Sequence, residues 1–481
     1  MNFFLRVAVT VAVMTMMVAL TMGCGKSSQE AEKSGDTKQT ADAATAQATG
    51  FSDLSASEFS ISTAEQLAEL ARLVNGGNGF AGKTVSLIND VDISEYGKGA
   101  VFNDGKGWIP IGNSDNMFMG TFDGNGKKIH GLYINDTSLN DAGLFGSAAT
   151  VKNVWVVDAD ITAGNSVGIV AGRIGMVSHY DGGGGIQNCY TSGTVNGKNS
   201  VGGVVGRVGA ELVDRSAGGS IIDCYSASNV SGGDDIGGIV GSVIGASEVA
   251  TNYFTGTVSG ENNVGGIAGR LEAMPDNAAF GGRLVGIDHG NVTRCYSTGA
   301  VSGKNAVGGI AGHLEGGMVD SCYSTSAVSG NSAVGGLAGE LGLVTGEQRA
   351  VICYEWDENQ ENCLKSNYDE GGMVASGSVV NSAALNPSVK SRGPAGRVAG
   401  KTDDGTLSNN IAFAGLKDRN GNTNRWVVKN GGAGDGADIT TSEIASDPTL
   451  GGRFKVGWTT EKGKLPGLGG KAVDMPGHLR Q

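Results

Sequence analysis

"CYSTGAVSGKNAVGGIAGHL" occupies residues 295–314, and "CYSTSAVSGNSAVGGLAGEL" follows at 322–341. From the first residue of such a block to the last glycine of its Val-Gly-Gly segment the distance is fixed. Cys189 to Gly206, Cys224 to Gly241, Asn252 to Gly269, Cys295 to Gly312 and Cys322 to Gly339 are all 17 residues. From that glycine to the next anchor the distance varies: 17, 18, 11, 26, 10 and, from Gly339 to Cys353, 14 residues.

A fixed arm and a variable arm have a physical meaning. Strands stacked in parallel lie about 4.8 Å apart, and one inserted residue turns every following side chain to the opposite face. Insertions survive only where the chain leaves the stack as a loop. The repeat therefore predicts an all-β fold, a right-handed parallel β-helix-like solenoid of roughly nine to ten coils, with every loop leaving from one edge. Such a stack is a rod on the order of 45 Å long.

Earlier, worn copies are reached by the same count. Trp155 lies 17 residues before Gly172 and Ile129 lies 17 before Gly146, so both are read as anchors. Apolar anchors place that position inside, and the cysteines there act as small hydrophobes. The structural ladder is then Cys189, Cys224, Cys295, Cys322 and Cys353, with buried free thiols. Side-by-side ladder neighbours offer poor disulfide geometry, and Cys353 with Cys363 is the pair placed for an exception. Strand alternation turns the following residues outward, giving an aromatic ladder of Tyr190, Tyr225, Tyr253, Tyr296, Tyr323 and Tyr354. It stacks on itself, or offers rings to a sugar. Residues 381–400, "NSAALNPSVKSRGPAGRVAG", read as a copy one residue longer.

The ends need covers, because an open solenoid exposes strand edges. Residues 63–75, "TAEQLAELARLVN", spell a capping helix: Thr63 with Gln66 as a capping box, Ala64, Leu67, Leu70, Ala71 and Val74 on one face, and Gly76 as the stop. The domains follow as an N-terminal cap at 51–120, a solenoid at 121–415 and a C-terminal cap at 416–481, in which Phe454, Trp458 and Leu465 close the far end. Residues 24–50 lack large apolar side chains and form a tether. Residues 1–23 combine Arg6, an apolar run and a small residue before Cys24, the pattern of an export signal.

That N-terminus resembles a bacterial lipoprotein signal, with Gly23 before the lipidated Cys24; Thr21 stands where the family has Leu. The resemblance implies an exported chain anchored to the membrane by lipid, on the outer membrane if the cell has one. The recurring "VGGIAG", "VGGLAG" and "GGIVG" blocks, each near a "CYSTG"-type segment, resemble the GLUG motif over about residues 120–415. "FAGKTVSLINDVDIS" and "FMGTFDGNGKKIHGLYI" are similar to the leader before such repeats. The family implies β-helical surface or secreted bacterial proteins, some of them adhesins, others carrying a metallopeptidase that cleaves immunoglobulin A. That peptidase needs His-Glu-x-x-His. His130, His179, His289, His313 and His478 form no such pair, so protease activity does not transfer.

The net charge is −13, which excludes a nucleic-acid surface. No Cys-x-x-Cys pair occurs, so no metal or cofactor is expected. "DRNGN" at 418–422 begins like a calcium loop, but its twelfth position is Lys429. "FDGNGK" at 122–127 reads as a turn around Asp123, and the fixed arms hold almost no acids for glycan cleavage. What remains is the loop edge, with His179, Tyr180, Arg215, Met274, Phe280, Arg283 and His289 as candidate binding residues. The expected function is non-enzymatic adhesion to a host or cell-envelope protein or glycan. The alternatives are a β-helical polysaccharide lyase or glycoside hydrolase, and a purely structural surface protein.

Overall fold

The computed structural model describes residues 51–99, 101–175, 184–209, 218–275, 287–346, 350–356, 363–369, 373–402 and 405–480. Cys24, His179, Tyr180, Arg215, Phe280 and Arg283 lie outside the described residues.

The stack is a parallel β-helix. One row of inward residues runs its whole length: Phe59, Val85, Phe122, Val151, Ile186, Ile221, Val249, Val292, Val319, Val379 and Leu407 pair in register. Those eleven rungs span on the order of 50 Å. All but Leu407 are buried. A second sheet stacks the Val-Gly segments, Val167, Val201, Ile236, Val264, Val307, Val334 and Ala395 in register. The coils are therefore locked in register just before the anchor and again in the Val-Gly part of the fixed arm.

The coils turn sharp corners at left-handed residues, which form two rows. One corner row is Asn153, Asn188, Asp223, Thr251, Arg294, Ser321, Asn381 and Asn409, each with φ between 50° and 56°. Asn and Asp tolerate this region best, and they bond along the row: Asn188 donates to Asn153 at 2.8 Å and Asn409 to Asn381 at 2.8 Å. The other row is Ser166, Ser200, Asp235, Asn263, Ala306 and Ala333. The conserved spacing of glycines follows from that corner. A Cβ on Gly312 would lie 2.3 Å from the Asn263 carbonyl carbon, in the coil before it. Only glycine lets the two backbones approach so closely.

The helix forms over Ala64–Asn75 and buries Ala64, Leu67, Leu70, Ala71 and Val74. Thr63 accepts from the Gln66 N–H at 3.3 Å, but the Gln66 side chain reaches Ser62 N–H at 2.7 Å, one residue before the expected position. "FDGNGK" makes a bulge, with Asn125 left-handed and its N–H donating to Asp123 at 2.9 Å.

Four readings change. Trp155 pairs with Tyr190, so it belongs to the outward row, and Val154 is the interior residue of its coil. The count fails by one because this coil holds an extra residue at Asp158, which is left-handed and marks a register shift. Ile129 is buried but pairs with Val156, not with an anchor. Cys353 and Tyr354 are not on the ladder: Tyr323 pairs with Ala383, so the anchor after Cys322 is Ser382, 43 residues beyond Gly339. Cys353 instead pairs antiparallel with Ser366, and Cys363 with Trp356, in a hairpin inside that insertion. Finally, residues 453–470 do not close the end of the stack. Ala437–Ile439 adds the final strand on Ile411–Phe413, and the chain then turns back along the tyrosine face.

Arg397 fastens this C-terminal segment. It is fully buried, donating to Asp435 O at 2.8 Å, Gly436 O at 2.9 Å and the Asp438 carboxylate at 2.6 Å. The planar fork of donors suits three acceptors at once. Nothing in "GPAGRVAG" marks this arginine as interior.

Candidate binding surfaces

The anchor position does more than fill space. The thiols of Cys189, Cys224, Cys295 and Cys322 each donate to the carbonyl two residues earlier, at 3.2–3.3 Å. Two of them also receive the backbone N–H of the anchor in the preceding coil: Asn252 N to Cys295 Sγ and Cys295 N to Cys322 Sγ, both 3.3 Å. Asn252 accepts from Cys224 N at 2.7 Å, and Ser382 from Cys322 N at 3.1 Å. The left-handed corner before the anchor frees that N–H, and a buried donor needs a partner. Cysteine, asparagine and serine all supply one, which explains their exchange at this position.

All four described ladder cysteines are free and buried. Burial pushes the thiols of Cys224 and Cys322 well above the ordinary range. A thiol that is both buried and protonated is inert. Because all four are buried, labelling of the native protein is expected to leave them unmodified until denaturant unfolds the stack. Fast native-state modification of Cys295 or Cys322 would contradict the interior ladder.

Directly beside the anchors the aromatic row points outward. Its rings contact one another along the row, tilted by 42° with centroids 4.9 Å apart for Tyr190–Tyr225 and stacked with centroids 4.1 Å apart for Tyr225–Tyr253, 4.9 Å for Tyr253–Tyr296 and 5.0 Å for Tyr296–Tyr323. Trp155 extends it, edge-on to Tyr190 at 6.2 Å. The two ends differ. Tyr296 and Tyr323 are buried under the returning segment: Trp458 packs on both, Phe454 meets Tyr323 edge-on at 5.8 Å, and the Tyr323 hydroxyl donates to Pro466 O at 2.7 Å. Burial pushes the phenols of Tyr296 and Tyr323 far up.

The other half stays open as a groove of about 910 Å³. Trp155, Tyr190, Tyr225 and Tyr253 make its floor. Asn188, Asp223 and Thr251, from the left-handed corner row, form one lip. Asp158, Ser192 and His130 lie on the other side, Lys128 pairs with Trp155 and continues the floor row by one coil, and Gly457, Leu468 and Gly469 close it toward the returning segment. Trp155 is 41% exposed, with the Lys128 ammonium 5.8 Å from its ring centre.

The loop edge lies on a different side. Segments 176–183, 210–217, 276–286 and 347–372 follow the strands Ala171–Ile174, Val205–Val208, Ala268–Glu272 and Ala338–Gly346, which are rungs of one ladder. The two longest leave on antiparallel stems: Met274–Pro275 on Ile287–Asp288, and Leu343–Gly346 on Met373–Ser376. Met274 sits in the first stem, and His289 is exposed at its base. Among the described residues no group of three or more His, Cys, Asp or Glu could hold a metal ion.

No family model matches the chain. It is 36% identical over 151 residues to halomucin of Haloquadratum walsbyi, covering 31% of this chain and 2% of that one. It is 30% identical over 178 residues to a protein of Evansella cellulosilytica named "Putative Gly-rich membrane protein", covering 31% of this chain and 20% of that one. The chain thus spans a small fraction of both relatives. A solved structure named "putative immunoglobulin A1 protease" from Bacteroides ovatus aligns over 86% of this chain and 93% of its own, at 19% identity and a TM-score of 0.43.

Proposed function

We propose that this chain is a non-enzymatic, lipid-anchored surface solenoid of the GLUG-repeat kind that binds a host or cell-envelope ligand through the hairpins of its loop edge. The observation that carries the reading is the concentration of length variation at one corner of the coil, while the rest keeps register. Variable segments gathered on one edge of a rigid stack are where repeat proteins place recognition. The export signal ending at Cys24 and the likeness of about a third of the chain to halomucin and to a membrane protein support a place at the cell surface.

The test is an array of matrix proteins and envelope glycans probed with the purified protein and with a variant lacking residues 276–286. Binding that disappears in the variant, with the thermal midpoint unchanged, is the expected result. Binding that survives removal of both long hairpins would overturn the reading. Release of products from any polysaccharide would favour the lyase or hydrolase alternative.

A further inference from the structure

We propose that the groove over Trp155, Tyr190, Tyr225 and Tyr253 is a separate site for a neutral oligosaccharide laid along the axis of the solenoid. It does not rest on the loop edge, which lies on another side of the coil.

The floor supplies the first argument. Four aromatic side chains, one per coil, line an open trough at the strand spacing of about 4.8 Å, close to the length of one sugar unit in an extended chain. Tyr225 and Tyr253 stack face to face and Tyr190 meets Tyr225 at 42°, so these rings present mainly edges and hydroxyls. Trp155, at the end of the row, is not stacked face-on by a ring: Tyr190 meets it at 73°. A 41% exposed indole on the outside of a strand is a platform for the C–H face of a pyranose.

The lips supply the second. Asn188 and Asp223 stand on left-handed corners fixed by the coil, so their side chains are presented from rigid backbone. Asp223 accepts from the Thr251 hydroxyl at 2.6 Å, which uses one of the several acceptor sites of a carboxylate. Asp158, opposite, is held by a bulge whose N–H donates to Ser192 at 3.1 Å. An apolar floor between rows of fixed acceptors and hydroxyls is the pattern of a site for a ligand with an apolar face and a polar rim.

Charge selects among such ligands. Lys128 is drawn to the Trp155 ring, and the two lips carry the carboxylates of Asp158 and Asp223. An acidic glycan would face both carboxylates, whereas a neutral one donates hydroxyls to them. A peptide is the competing occupant, because this chain's own Phe454 and Trp458 sit on the row at Tyr296 and Tyr323. There the corner residues are Arg294 and Ser321 rather than Asn188 and Asp223. The acceptor-rich lip is confined to the open half.

The purified protein is titrated with cellohexaose, xylohexaose and mannohexaose by calorimetry, with tryptophan fluorescence followed in parallel. At least one is expected to bind. Trp155→Ala should weaken it about tenfold or more, Trp155→Phe less, and Asp223→Asn should also weaken it, with circular dichroism unchanged in each. Failure of all three sugars to bind at millimolar concentration overturns the proposal. So does binding indifferent to Trp155→Ala, a preference for oligogalacturonate over the neutral sugars, or a preference for a peptide copying residues 453–462. Loss of the loop-edge hairpins should leave this titration unchanged, so the two sites fail independently.

Discussion

An alanine inserted between Val307 and Gly308 is expected to unfold the centre of the stack, while the same insertion between Asn277 and Ala278 leaves stability within about 0.5 kcal/mol. In the fixed arm the new residue takes the place of Gly308, where a Cβ would lie 2.0 Å from Ala311 O. Ala311 moves into the place of Gly312, where its Cβ would lie 2.3 Å from the Asn263 carbonyl carbon. Ile310 and Leu314, both fully buried, turn off the core. Each is worth about 1.5–3 kcal/mol, so with the backbone clashes the loss is on the order of 5 kcal/mol or more. That is comparable with the whole stability of many domains. Denaturant unfolding and the reactivity of Cys295 and Cys322 measure it. Equal tolerance at the two sites would refute the division into a fixed and a variable arm.

The second large effect concerns the returning segment. Trp458→Ala removes the ring that packs on both Tyr296 and Tyr323, and the loss should be about 3–5 kcal/mol. Trp458→Phe should cost far less, since the buried indole N–H has no partner among the described residues. The pH dependence shows the change directly. Phenols whose folded pKa is raised leave stability intact below the ordinary value near 10. Above it the unfolded chain ionises first, and stability falls with rising pH until the folded pKa is passed. The wild-type protein should therefore lose stability steeply above about pH 10, with Tyr296 and Tyr323 titrating last. In Trp458→Ala these two should titrate at lower pH than in the wild-type protein, and the alkaline loss should shrink. Ultraviolet titration of tyrosinate checks this. Coincident curves for the two proteins would show that the segment does not bury the row.

Much of this was legible because translation along the stack is a rule that the sequence must obey at every coil. The count from anchor to glycine locates the loops and the inward valines. Where it went wrong, the cause was local. "CY" at 353–354 imitates an anchor, but residue 370, 17 further on, is Glu370 and not the glycine of a Val-Gly-Gly segment. Trp155 was displaced by one bulged residue, which no composition signal marks. The choice of Cys, Asn or Ser at the anchor looked like a matter of size, and is a matter of hydrogen bonding to the coil before.

By itself the sequence determined the repeat unit, its parallel stacking and the corner from which insertions leave, because these depend on spacing alone. Only the tertiary structure decided what covers the outward tyrosines. The five copies look alike along the chain, yet Tyr296 and Tyr323 are buried while Tyr190, Tyr225 and Tyr253 line a groove. The difference is made by Trp458 and Phe454, more than 100 residues away from them, and by one buried arginine that fastens the segment carrying them. Contacts between distant segments follow no period, so no count along the chain could find them.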